Sequence, residues 1–468
     1  MKSIKSVRPL SQVTAAASLV LAAGCNSAAQ SVDHAPPSEP PGMHALVSAV
    51  SADRIYADIE TMVGFGTRHT ASETESDTRG VGAARRWVHA EFEAISEACG
   101  GCLEVIYVGE TISGERRIPD PVDVISVLAI QRGSIDPDRT ILIGGHLDSR
   151  VTDVMNSTSE SPGANDDASG VAGAIEAARV LSQREFAGTI VYAAFTGEEQ
   201  GLIGARIVAN YAKEQDWNLV GVFNNDMISN IAGINGVINN STVRVFSEPI
   251  KQTLSEEDRR RIRFFGGEVD SPARNLARYV KMMGDRFVPN LDINLVYRLD
   301  RFGRGGDQTP FANVGFPAIR IMETNEHYDR QHQDLRTEDG RVYGDTIDGV
   351  DADYAAKLTA LNVVSMAGMA GAPPIPEGVS IEGAVSPDTK LSWTRPTGER
   401  ASNLMGYKVH WRETTSPEWQ WSRWVGDVSE FTLENIVIDN YYFGVSAVAK
   451  DGSETPVVFP GPAGAFSD

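Results

Sequence analysis

Residues 139–148 read Arg-Thr-Ile-Leu-Ile-Gly-Gly-His-Leu-Asp, an apolar run of strand length that stops at two glycines and hands over to a histidine and an aspartate. Three more runs have this form: TIVYAAF (189–195) ahead of Glu198-Glu199, LVGVFNN (219–225) ahead of Asp226, and PAIRIME (317–323) ahead of the loop bearing His332. Helical patterns such as VAGAIEAARVL (171–181) lie between them. The alternation predicts an α/β fold with a mixed, mostly parallel central sheet flanked by helices. Ligands of such sheets bind beyond the carboxyl ends of the strands, so residues remote in sequence should converge on one crevice.

Five residues at these ends are candidate metal ligands: His146, Asp166 in PGANDDASG (162–170), Glu199, Asp226, and His332 in RQHQDLR (330–336). Two imidazoles and three carboxylates suit zinc better than magnesium or calcium, although Co2+ and Mn2+ accept the same donors. Five ligands are too many for one tetrahedral ion. If one carboxylate bridges, the set divides into two sites of three, each with an open position, which is the arrangement of a two-metal hydrolase holding two Zn2+ ions. Plainer readings exist for individual residues. His69, His89 and His410 read as surface or packing histidines, and GANDDASG also reads as an Asx turn in which Asp167 or Ser169 caps the following helix.

The combination of HLDS, GANDDASG, EEQG, an NND after a strand and a late HQD resembles the zinc-dependent exopeptidases of the bacterial secreted leucyl aminopeptidase type, relatives of glutamate carboxypeptidase. The likeness runs from about Ser51 to Ala370 and opens with VGFGTRHT (63–70) and AARRWVHAEF (83–92). It implies that Asp166 bridges, that one ion takes His146 and Asp226, and that the other takes Glu199 and His332. It further implies that Glu198 is the general base for a metal-bridging water, and that Asp148 is the carboxylate that orients His146. His327 competes with His332 as a ligand, but the family places the ligand just before an aspartate, as in His332-Gln333-Asp334. Gly306-Asp307-Gln308 departs from the Ser-Asp-His or Gly-Asp-His usual there, which bears on substrate preference.

The chain has 468 residues, 41% hydrophobic, enough for a substantial core and two or three domains. A net charge of −21 argues against nucleic acid and anionic membrane as partners, since both demand basic patches. Residues 1–24 read as a signal peptide: Lys2, Lys5 and Arg8 precede the short apolar VTAAASLVLAAG (13–24). Leu21 to Cys25 resembles a lipobox, which makes Cys25 a lipidation candidate and a lipid anchor the expected membrane attachment. The chain is thus expected to be exported, as a cell-envelope lipoprotein or a secreted protein. Residues 25–42 read as a disordered polar, Pro-rich tether. Cys99 and Cys102 are expected to form a disulfide across a CGGC loop.

Residues 43–371 form the expected peptidase domain, and 372–376 a stiff Pro-rich linker. From 377 to 468 the pattern turns all-β: KLSW (390–393), GYKVHWRE (406–413) and YYFGVSAVAKDG (441–452). This stretch resembles a fibronectin type III sandwich, with Trp393 as its core tryptophan and Tyr441, Phe443, Val445 and Ala447 on one face. Such a module serves as a spacer or binds a surface or polymer. Trp411, Trp419, Trp421 and Trp424 offer a rival carbohydrate-binding face.

The resemblance implies an exported metallo-aminopeptidase acting on peptides. Its alternatives on the same scaffold are a carboxypeptidase, which needs a basic pocket for a free carboxylate, a glutaminyl-cyclase-like enzyme, and a non-catalytic binding ectodomain.

Overall fold

The apolar runs become strands β1 (Leu103–Ile112), β2 (Val122–Gln131), β3 (Asp136–His146), β4 (Gly188–Phe195), β5 (Asn218–Asn225), β6 (Thr242–Ser247), β7 (Asp292–Val296) and β8 (Ala318–Glu323). In the computed structural model, which describes residues 35–466, they form one sheet in the order β1-β2-β4-β3-β5-β8-β6-β7. The four central strands β4-β3-β5-β8 run parallel, while β1, β2 and β6 join by antiparallel pairings. The expected signal segment, Cys25 and residues 25–34 of the expected tether lie outside the described residues.

Alternate residues of the central strands serve two separate cores, because successive side chains of a strand point to opposite faces. Ile141, Ile143, Ile190, Tyr192 and Ala194 face the helices Ala52–Gly64, Gly80–Ala98, Ser169–Leu181, Pro272–Phe287 and Ala352–Gly371. Leu142, Val191, Ala193 and Phe195 face the helix Ile203–Glu214 and Phe311. Burial on both faces explains why these runs are continuously apolar. Among the described residues no helix is long and apolar enough to cross a membrane.

After the short hairpin β9 (Arg336–Glu338) and β10 (Arg341–Tyr343), the chain ends in two small antiparallel sheets. One has the order β11-β12-β15 and the other β14-β13-β16, from β11 (Glu377–Glu382), β12 (Thr389–Thr394), β13 (Leu404–Glu413), β14 (Trp421–Gly426), β15 (Glu430–Leu433) and β16 (Tyr441–Ala449). Trp393 is buried, with its ring 5.1 Å from that of the fully buried Tyr407. Phe443, Val445 and Ala447 point into the same core, and the opposite face of β16 is covered too, where Gly444 meets Val457 and Trp419.

These sheets are not a free appendage. Their buried residues share one continuous apolar core with the helices of the large sheet. Buried Arg139 of β3 donates to the carbonyls of Met369 (2.6 Å) and Ala372 (2.7 Å), and Asn403 donates to that of Gly371 at 2.9 Å. Ala372, Pro373, Pro374 and Pro376 are buried, so the expected linker is packed structure. The end of the expected tether touches the protein: Pro40 is buried, and Arg184 donates to the carbonyls of Pro41 and Gly42 at 3.3 and 3.1 Å. Cys99 and Cys102 are joined by a disulfide at the end of the helix Gly80–Ala98. The four tryptophans do not form one platform: Trp411 and Trp421 stack with ring centroids 6.2 Å apart, Trp419 packs against His410 and Arg412, and Trp424, three residues from Trp421 on β14, lies on the opposite face.

Candidate active site

Every candidate ligand sits at the end of a parallel strand or in the segment that follows one. His146 is the last residue of β3, Asp226 follows β5, the Glu198-Glu199 pair follows β4, and the loop with His332 follows β8. Asp166 lies between β3 and the helix Ser169–Leu181. The side chains gather into two triads, His146-Asp166-Asp226 and Asp166-Glu199-His332, each with donor atoms within 4.8 Å of one another. Asp166 belongs to both: its Oδ1 lies 3.1 Å from His146 Nε2, and its Oδ2 lies 2.9 Å from His332 Nε2. His332 Nε2 is also 2.9 Å from Glu199 Oε1. His327 is not part of either triad.

The donor set fits zinc. His146 Nδ1 donates to the Asp148 carbonyl at 2.9 Å, which fixes the tautomer and leaves Nε2 as a bare donor facing the carboxylates. The Asp148 carboxylate has a different task from the expected one, since its Oδ1 is 3.8 Å from Nδ1. It accepts the backbone N–H groups of Gly197, Glu198 and Glu199 at 2.8, 3.2 and 3.0 Å, so it shapes the loop that presents both glutamates. Asp148 therefore orients His146 by its main chain and the Glu pair by its side chain.

Asp167 ties the other segments together. It accepts from His146 N (2.9 Å), Gly170 N (2.9 Å) and Met227 N (3.1 Å), linking β3, the helix start and the turn after Asp226. A Cβ on Gly145 would lie 2.6 Å from Asp167 Oδ2, so glycine is required at that crossing. Ser169 accepts from Ile228 N at 3.0 Å.

The electrostatics follow from this crowding. Burial alone would raise Asp166, but His332 and His146 hold it well below the usual carboxylate range. His332 rises to about 10 against its burial penalty, because Glu199 and Asp166 face it. Burial, reinforced by Glu199 and Asp226, pushes Glu198 well above the ordinary range. Protons must leave the histidines as zinc enters, so loading is favoured as pH rises.

Several site residues carried no motif. Asp345 is buried and accepts from Asn165 N (3.0 Å) and Asp166 N (2.7 Å), fixing the shared carboxylate's backbone. Arg320, fully buried in β8, pairs with Asp226 Oδ1 at 2.8 Å and Asp300 Oδ2 at 3.0 Å. An arginine inside the apolar run PAIRIME is the one sequence signal that could have revealed it, since a buried charge needs a partner. Asp307, in the departing Gly-Asp-Gln stretch, is fully buried, and Gln308 donates to Asp300 at 2.7 Å.

Burial would raise Asp300, but Arg320 and Arg301 hold it down to about 2. A carboxyl depressed on folding contributes stability that is complete above its unfolded pKa and is lost as pH falls through the folded one. Asp300→Asn should therefore cost about 2 kcal/mol at pH 6, and the deficit should shrink as pH falls from 4 towards 2. Urea unfolding of both proteins across that range checks this, and a pH-independent deficit would contradict it.

The triads open into a cavity of about 450 Å³ lined by Asp166, Glu198, Glu199, Asp226, Gln331 and His332. Four arginines also line it: Arg117, Arg150, Arg301 and Arg304.

A model of peptidase family M28 matches residues 126–350. A probable zinc metalloprotease of Leptosphaeria maculans is 42% identical over 422 residues, spanning 90% of this chain and 97% of that one. One from Pyricularia oryzae is 41% identical over 442 residues, spanning 91% of this chain and 88% of its own. Among solved structures, the LapA aminopeptidase of Legionella pneumophila is similar with a TM-score of 0.51 at 19% identity, covering 72% of this chain and 77% of that one, a likeness of fold.

Proposed function

Because the chain belongs to peptidase family M28 and is a zinc metallopeptidase, we propose that it acts as a two-zinc exopeptidase that removes the N-terminal residue of peptides. The observation that carries the reading is the sharing of Asp166: its two oxygens face two different histidines, each completing a triad with a further carboxylate. One triad supplies His146, Asp166 and Asp226, the other Asp166, Glu199 and His332. Zinc bound there supplies Lewis acidity and lowers the pKa of its water to about 7.

The rest of the chemistry falls to the chain's own side chains. Glu198 lines the cavity beside the ligand Glu199 without belonging to either triad, so its carboxylate is free to take a proton from water and return it to the leaving amine. Asp148, through the three amides it accepts, keeps Glu198 and Glu199 at different tasks although they are adjacent. Arg320 pairs with Asp226 at 2.8 Å, which fixes the carboxylate in place and opposes the burial that raises it.

The exopeptidase reading is tested with matched peptides, one with a free and one with an acetylated N-terminus. Only the free amine should be processed, and the purified protein should hold two zinc equivalents. Equal cleavage of both, or cleavage confined to internal bonds, rules out aminopeptidase action. Release of C-terminal residues would support the carboxypeptidase reading, which the arginines of the cavity favour.

A further inference from the structure

We propose that the arginines at the mouth of the cavity form a subsite for a carboxylate of the peptide substrate. The inference rests on the metallopeptidase reading of the neighbouring triads. Among the described residues lining the cavity, the only carboxylates are Asp166, Glu198, Glu199 and Asp226, all assigned above to metal binding or proton transfer. None of these is left to pair with the four guanidiniums that share the cavity, and only Arg301 has close carboxylate partners outside it.

Their individual partners sharpen the point. Arg150 is 16% exposed at its side chain, its Nε is buried without a hydrogen-bond partner, and its nearest carboxylate is the ligand Glu199, at 3.6 Å. Arg117 donates only to the main-chain carbonyl of Glu199. Arg304 donates to the neutral Gln331 at 3.3 Å and reaches Glu326 only at 4.0 Å. Arg301 is the anchored member, held by Glu326 at 3.0 Å and Asp300 at 3.2 Å. A buried guanidinium nitrogen without a partner, as Arg150 Nε is, is costly in the free protein, and a bidentate carboxylate is the ligand that satisfies such a group best.

The carboxylate has two possible sources in a peptide, an acidic side chain or the terminal α-carboxylate. Four substrates separate them, each given to the zinc-loaded full-length chain: Leu-Ala amide, Glu-Ala amide, Leu-Glu amide and free Leu-Ala. At least one carboxylate-bearing substrate should exceed Leu-Ala amide in kcat/KM by about 10-fold or more, mainly through KM, the worth of one charge-assisted pair. The favoured substrate names the source.

Glutarate binding, followed by calorimetry on the zinc-loaded chain, supplies a readout independent of turnover. Arg150→Ala and Arg304→Ala should each weaken it about 10- to 100-fold at unchanged zinc content. Arg304 is 36% exposed at its side chain, so its replacement leaves no buried hole. Loss of affinity in the variants separates the subsite from direct coordination of glutarate by zinc. Equal kcat/KM for all four peptides, or equal glutarate affinity in Arg304→Ala and the parent, overturns the subsite while leaving the peptidase reading intact. Hydrolysis of none of them, with glutarate affinity still lost in the variants, overturns the peptidase reading and leaves the subsite standing.

Discussion

Glu198→Gln is expected to keep the zinc content of the parent chain and to lose on the order of 10²–10⁴ in kcat, the usual contribution of a positioned general base. Glutamine keeps the size and removes only the capacity to take a proton, and Glu198 belongs to neither triad. Glu199→Gln should behave differently. It replaces a charged donor 2.9 Å from His332, so zinc content should drop and excess zinc should partly restore the rate. Metal analysis alongside turnover decides between them: a zinc-depleted Glu198→Gln protein would exchange the two roles, and a fully active one would remove the mechanism.

The second large effect lies far from the chemistry. Asp270 is fully buried and accepts from Arg278 of the helix Pro272–Phe287 at 2.8 Å, and both its oxygens accept from Nη2 of Arg412 of β13 at 2.9 and 2.8 Å. Asp270→Ala removes the carboxylate that two buried guanidiniums share, leaving them only neutral acceptors such as the carbonyls of Val269 and Ser416, so it should cost on the order of 3–5 kcal/mol in denaturant unfolding. A loss below about 1 kcal/mol would mean that water replaces the carboxylate. Truncation after Gly371 would remove Arg412 and also expose the apolar core shared with β12, β13 and β16. The truncated chain is therefore expected to aggregate or unfold before its turnover can be compared, even though every triad residue precedes the cut.

The sequence was readable where physics leaves a periodic or chemical mark. β3, β4, β5 and β8 are buried on both faces and so are continuous apolar runs, and the ligands follow them at once. β6 and β7 left little mark, because β6 is short and β7 forms an edge with four of its five residues exposed or partly exposed. With them went the loop 297–306, whose arginines reach the cavity only because β7 and β8 bracket it. Of the ligand set, all five residues lie together. What supports them was not legible. Asp345 and Arg320 act across about 180 and 94 positions of sequence, on Asn165 and Asp226 respectively. A charged residue in a sequence looks the same whether it is solvated or paired in the interior. Arg412, Arg278 and Asp270 were hidden for that reason, and the tight joining of the C-terminal sheets was hidden with them.

The packed join at residues 369–376 bears on how long such a protein lasts among other proteases. Proteolytic nicking needs a segment that can be drawn out into an extended, accessible form, and connections between domains usually provide it. Here the carbonyls that would have to be released are held by Arg139 from inside β3, the strand that ends in His146. Opening the join would pull on the metal site before it freed the C-terminal sheets, so cleavage there and loss of the zinc centre should come as one event.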